Sequence, residues 1–195
     1  MKKWVPLTVH EYESYLALRI LMGILRFPSI RDYWSTEYNS GHPAFPGTMS
    51  RDRFEDISHK LHFEDSGVDR DENDRLWRLR AFVDDLNYQC QTVYVPAREV
   101  SVDESLWKYR GRLAFRQFNP SKRARYGVKV YKLSESLGPA AGYTSGFKVY
   151  TGQDKTQSKT LNISMNVVTD LMEKSLLLDK GYIVSVDNWY SSPEL

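Results

Sequence analysis

The chain has 195 residues, 41% of them hydrophobic, 13% aromatic and 27% charged, with a formal net charge of +2. That apolar and aromatic content supports a packed core in one domain or two small ones and excludes a disordered chain. No apolar run reaches the roughly 20 residues that span a bilayer, no signal-type apolar segment follows Met1-Lys2-Lys3-Trp4, and a single cysteine, Cys90, excludes an internal disulfide or a cysteine-built zinc site within these residues.

The first hundred residues predict helices. Thr8 followed by Glu11 is a capping-box pattern. Tyr12, Leu16, Ile20, Ile24 and Phe27 then recur at spacings of three or four, which marks one apolar face ending at Pro28. The segment with Gly41, Pro43, Pro46 and Gly47 reads as loop. Ser50 is a predicted N-cap, with Phe54, Ile57 and Leu61 as the apolar stripe behind it. A third helix, capped by Asn73 or Asp74 and stopped by Pro96, presents Leu76, Leu79, Phe82, Leu86, Cys90 and Val93 as a buried stripe. His59 and His62 stand three apart, but no cysteine or carboxylate completes a metal site around them.

From residue 99 the pattern turns to strands. Val100 and Val102 begin one, Tyr126 to Leu133 alternates as a second, and Phe147 to Tyr150 follows Gly142 and Gly146 as the partner of a hairpin. A helical run over 162–178 leads to the apolar strand 182–186, and a strand–helix–strand step favours a parallel crossover. The fold class is therefore α+β: a helical region over 1–98, then a mixed sheet with a crossover helix over 99–195. No glycine-rich phosphate loop, dinucleotide fingerprint or serine nucleophile motif is present, so no nucleotide cofactor is expected.

Charge is unevenly spread. Residues 1–100 hold 13 basic and 16 acidic side chains, and residues 101–195 hold 14 and 9. Between Lys108 and Lys129 there are eight cations and no acid: Lys108, Arg110, Arg112, Arg116, Lys122, Arg123, Arg125 and Lys129. The first seven are candidate contacts to a nucleic-acid backbone, with Tyr109, Phe115, Phe118 and Tyr126 interleaved. Asp103 follows the first strand's Val100-Ser101-Val102, and Asp187 ends the last strand. On neighbouring strands the two carboxylates would share one hard cation such as Mg²⁺. The plainer reading of each is a cap on the following turn. Glu104 alternates to the opposite face and is no co-ligand.

Taken together, LMGILRFPSIRDYWS (21–35), MSRDRFEDISHKLHFED (49–65), VPAREVSVDESLWKYRGRLAFRQFNPSKRARYGVKVYKL (95–133), FKVYTG (147–152) and VSVDNWYSSPEL (184–195) resemble piggyBac-type transposases and the domesticated proteins derived from them. The resemblance implies an RNase H-like core with three catalytic aspartates, the first matching Asp103 and the second Asp187. It implies a helical region for dimerisation and DNA binding, Mg²⁺, double-stranded DNA ends flanked by TTAA as substrate, possible homodimerisation, a nuclear location and no membrane association. The family's third aspartate lies well downstream of the second, so residues 1–195 read as the front part of such an enzyme, incomplete for catalysis. A DNA-binding protein of the same descent without cleavage activity is the alternative.

Overall fold

Thr8 opens the first helix: its hydroxyl accepts the N–H of Glu11 at 3.2 Å, and α1 (Val9–Ile24) follows. The computed structural model describes residues 4–65, 71, 73–122, 125–152 and 163–190. They form two compact units, Met1–His62 and Phe63–Leu195. The division falls before the third predicted helix, not at the 98/99 boundary read from the sequence, because that helix packs on the sheet.

The N-terminal unit closes around Tyr15, Leu18, Tyr33, Phe45, Met49, Phe54 and Ile57. In α1 the buried side chains are Tyr15 and Leu18, whereas Leu16, Ile20 and Ile24 of the predicted face are exposed. The helix is apolar on two sides, so periodicity alone did not choose between them. The segment read as loop contains a short helix, α2 (Ala44–Thr48). Pro46 is tolerated there because a first-turn N–H has no helical partner to lose, and fully buried Phe45 anchors the turn. Ser50 caps α3 (Arg51–Lys60) by accepting the Arg53 N–H at 3.3 Å, as predicted, and Phe54 and Ile57 are buried while Leu61 is not.

In the second unit, the Asp74 carboxylate accepts the Leu76 N–H at 2.9 Å and a forked pair from Arg80 at 2.9 and 2.7 Å. It thus caps the turn that leads into α4 (Arg80–Val93). Of the predicted stripe only Leu76, ahead of α4, is buried: Leu79, Phe82, Leu86 and Val93 are exposed and Cys90 is half-buried. The helix meets the sheet through polar groups instead. Asn87 donates to the Phe147 carbonyl and accepts its N–H, at 3.1 and 2.8 Å, and Tyr143 donates to the Cys90 carbonyl at 2.6 Å.

The sheet has five strands: β1 (Glu99–Lys108), β2 (Gln117–Phe118), β3 (Tyr126–Glu135), β4 (Thr144–Val149) and β5 (Ile183–Val186). β3 is central, antiparallel to β1 on one edge and to β2 and β4 on the other. β5 joins the far edge of β1 in parallel. The chain crosses from β4 to β5 through α5 (Ile163–Lys174), whose Val167, Val168, Leu171 and Met172 cover Val100, Val102, Tyr131 and Leu133. The hairpin and the parallel crossover read from the sequence are both present. β2 was missed because two residues carry no period.

Candidate functional site

β1 and β5 pair Val100 with Val184, Ser101 with Ser185 and Val102 with Val186. The ladder ends there, Asp103 and Asp187 are the next residues on the two segments, and both are exposed. Alternation along β1 puts Asp103 on the face opposite Val102. β5 ends at Val186 while β1 runs on to Lys108, so Asp103 occupies the first position beyond the parallel ladder.

The ladder's end fixes the local hydrogen bonding. Tyr109 donates to the Tyr126 carbonyl and Ser136 to the Glu99 carbonyl, so the odd-numbered residues of β1 exchange bonds with β3. The even-numbered ones turn their N–H groups toward β5. Glu104 lies past the end of β5, and its N–H is taken by Asp103 Oδ1 at 2.6 Å. Asp187 Oδ1 accepts the Trp189 N–H at 2.8 Å and its carbonyl accepts that of Tyr190 at 2.9 Å, which closes the turn after β5. Asp187 is therefore a turn cap as well as a strand-end carboxylate. Each local bond engages one oxygen, and no ion pair reaches either aspartate among the described residues.

Glu104 projects to the opposite face, as alternation requires, and pairs with Lys129 of β3. Burial alone would lower the Lys129 pKa, but the Glu104 carboxylate holds its ammonium above the ordinary lysine value. That ammonium also lies 4.9 Å from the Tyr131 ring and 5.0 Å from the Trp189 ring, and the two rings stack at 6.2 Å. Tyr190 is 1% exposed, and its hydroxyl has no hydrogen-bond partner among the described residues. Burial, with the field of Tyr131, Glu104, Asp103 and Asp187 behind it, raises its pKa well above the ordinary phenol value. Lys129 entered the sequence reading only as the last cation of a basic run, and Tyr131, Trp189 and Tyr190 did not enter it as site residues. The alternation of β3, which puts Lys129 and Tyr131 on one face, was the available signal.

The other cations sit where β1 leaves the sheet and returns as β3. Lys108 ends β1, Arg110, Arg112 and Arg116 follow, and Lys122 and Arg125 flank the return; all six are exposed. Arg123 lies outside the described residues. Arg116 braces this excursion by donating to the Arg110 and Gly111 carbonyls, both at 3.0 Å, with its guanidinium 5.1 Å from the Tyr126 ring. Phe118 and Tyr126 lie 4.8 Å apart at its base, both exposed.

No cluster of three His, Cys, Asp or Glu side chains able to hold a metal occurs among the described residues. The donor set nonetheless suits Mg²⁺, which keeps several waters and is held through one or two carboxylates together with substrate phosphates.

A helix-flanked mixed sheet with a parallel last strand does not by itself define a function, and the class comes from comparison with known proteins. The family model described as Transposase IS4 matches residues 1–195, and the chain belongs to that family, in its piggyBac-type branch. PiggyBac transposable element-derived protein 2 of Homo sapiens is 28% identical over 193 residues, which is 98% of this chain and 32% of the relative. PiggyBac transposable element-derived protein 3 of Homo sapiens is 28% identical over 188 residues, 95% of this chain and 31% of the relative. The chain thus spans about a third of the length of these relatives. The cryo-EM structure of a piggyBac transposase synaptic complex with hairpin DNA superposes with a TM-score of 0.75 at 22% identity, over 95% of this chain and 43% of that one. This likeness establishes the fold.

Proposed function

We propose that the chain is the DNA- and cation-binding front part of a piggyBac-like transposase core, with Asp103 and Asp187 as its metal-ligating carboxylates. The observation that supports this reading is the parallel register of β1 and β5, which ends at Val102 and Val186 with an exposed aspartate as the next residue on each segment. Mg²⁺ bound there would supply charge neutralisation at a phosphodiester and a more acidic bound water. Among the described residues, Asp103 and Asp187 each keep an oxygen free of backbone bonds for that role. Lys108, Arg110, Arg112, Lys122 and Arg125 contact the phosphate backbone, Arg116 shapes the loop that presents them, and Arg123 belongs to the same run. The partner is double-stranded DNA, and the resemblance supports transposon ends flanked by TTAA, a possible homodimer and a nuclear location. Hairpin DNA is the ligand of the structural relative and supports the same partner class.

The turn-capping bond of Asp187 favours a second reading, DNA binding without cleavage, in which the aspartates are structural. Fluorescence anisotropy on a DNA duplex with and without Mg²⁺ separates the two. A stimulation by Mg²⁺ that Asp103→Ala with Asp187→Ala removes supports the first. Binding indifferent to Mg²⁺ and to both substitutions supports the second. Loss of all binding with the fold intact contradicts that second reading.

A further inference from the structure

Asp103 and Asp187 stand on separate segments, and the ladder that joins those segments stops at Val186, one residue short of both. Something beyond the ladder has to set their separation, because a two-carboxylate site works only when its ligands are held within about half an ångström. Each aspartate is oriented by one peptide N–H, that of Glu104 for Asp103 and that of Trp189 for Asp187. The side chains of those two donor residues converge on one group. Glu104 pairs with the Lys129 ammonium, and the Trp189 ring lies 5.0 Å from it.

We infer that Lys129 is a positioning residue that clamps the Asp187 turn to β1 and so fixes both carboxylates at once. Glu104 and the Trp189 ring are its two jaws, with the Tyr131 ring, 4.9 Å from the ammonium and stacked on Trp189, as backing. Lys129 also differs from the rest of the basic run in kind. Its side chain is 22% exposed and paired, whereas the other described cations of the run are exposed. It is therefore excluded from the phosphate-contact set. The importance of the clamp to metal binding rests on the metal reading of Asp103 and Asp187; the clamp itself does not.

The test is residue-resolved amide exchange by NMR on the isotope-labelled 195-residue chain, together with Mn²⁺ affinity measured on the same samples. In Lys129→Met, the Glu104 and Trp189 amides are expected to exchange at least about tenfold faster while Val100 and Leu133 keep their protection. Mn²⁺ binding is expected to weaken about tenfold, the lower end of the effect of removing an outer-shell partner. Lys129→Arg, which keeps the charge and the ring contacts, is expected to restore both. Unchanged exchange at Glu104 and Trp189 in a folded Lys129→Met chain overturns the inference. Should Lys129→Met unfold, Glu104→Gln removes the same ion pair with little change of volume, and unchanged exchange there overturns it equally. Equal Mn²⁺ affinity in the native chain and in Asp103→Asn with Asp187→Asn sinks the metal reading alone, and the amide exchange still decides the clamp.

Discussion

At the scale of single residues, two acids show how the chain uses charge for structure as well as for the proposed site. Asp170 on α5 lies 2.8 Å from the Lys148 ammonium of β4 and 3.1 Å from that of Lys174. Burial alone would raise its pKa, but the two lysines outweigh it and hold the carboxyl below the usual range. A lowered folded pKa contributes stability that is complete above the unfolded value of about 3.9 and is lost as pH falls through the folded value. Asp170→Asn is therefore expected to cost about 1 kcal/mol at pH 7, and nothing once the pH is below the folded value of Asp170. Urea unfolding of both chains at a series of pH values from 7 downward measures the decline of that difference. In the other unit, Glu11 takes a forked pair from Arg53 at 2.6 and 2.7 Å, and that hydrogen-bonded contact lowers its pKa. Glu11→Gln should destabilise the N-terminal unit by about 0.5–1 kcal/mol at neutral pH and less in acid.

At the scale of elements, Gly127 is where the sheet meets the basic excursion. It pairs with Lys108 on one edge and Gln117 on the other, and a Cβ there would collide with the Trp107 carbonyl oxygen. Backbone cannot yield as a flexible side chain does, so Gly127→Ala is expected to cost about 1–3 kcal/mol and to loosen DNA binding by freeing the loop. Thermal unfolding and duplex anisotropy together report it. The strands were legible in the sequence because β1, β3 and β5 alternate or run apolar, and Asp103 and Asp187 were legible as candidates because they follow short valine-rich runs. Burial on the helices was less legible. α1 carries apolar residues on both flanks, and α4 docks through the Asn87 side chain and the Cys90 carbonyl, which no hydrophobic period reports. The Lys129 clamp was hidden for a related reason: its partners, Glu104 and Trp189, come from two other segments, and only the β1–β3 and β1–β5 registers bring them together.

At the scale of the whole chain, the small net charge conceals a division of labour. The acidic excess lies in the first hundred residues and the basic excess in the rest, most of it in one excursion between two strands. If those cations neutralise phosphates, replacing Lys108, Arg110 and Arg112 with glutamine should flatten the dependence of log K on log salt by about 0.9 for each phosphate left without its cation. A steric or unfolding effect would weaken binding without changing that slope. The same arrangement puts the cations at the far end of β1 from α5, so the carboxylate pair lies between the helix-covered core and the proposed DNA contacts.

Asp103 and Asp187 sharing one hard cation is the central claim, and paramagnetic Mn²⁺ reads it most directly. Titrated into the isotope-labelled chain, Mn²⁺ is predicted to broaden first the amides around residues 103 and 187 together, and to have no such effect in Asp103→Asn with Asp187→Asn. Broadening centred on other acids, or persisting unchanged in the double variant, would contradict it.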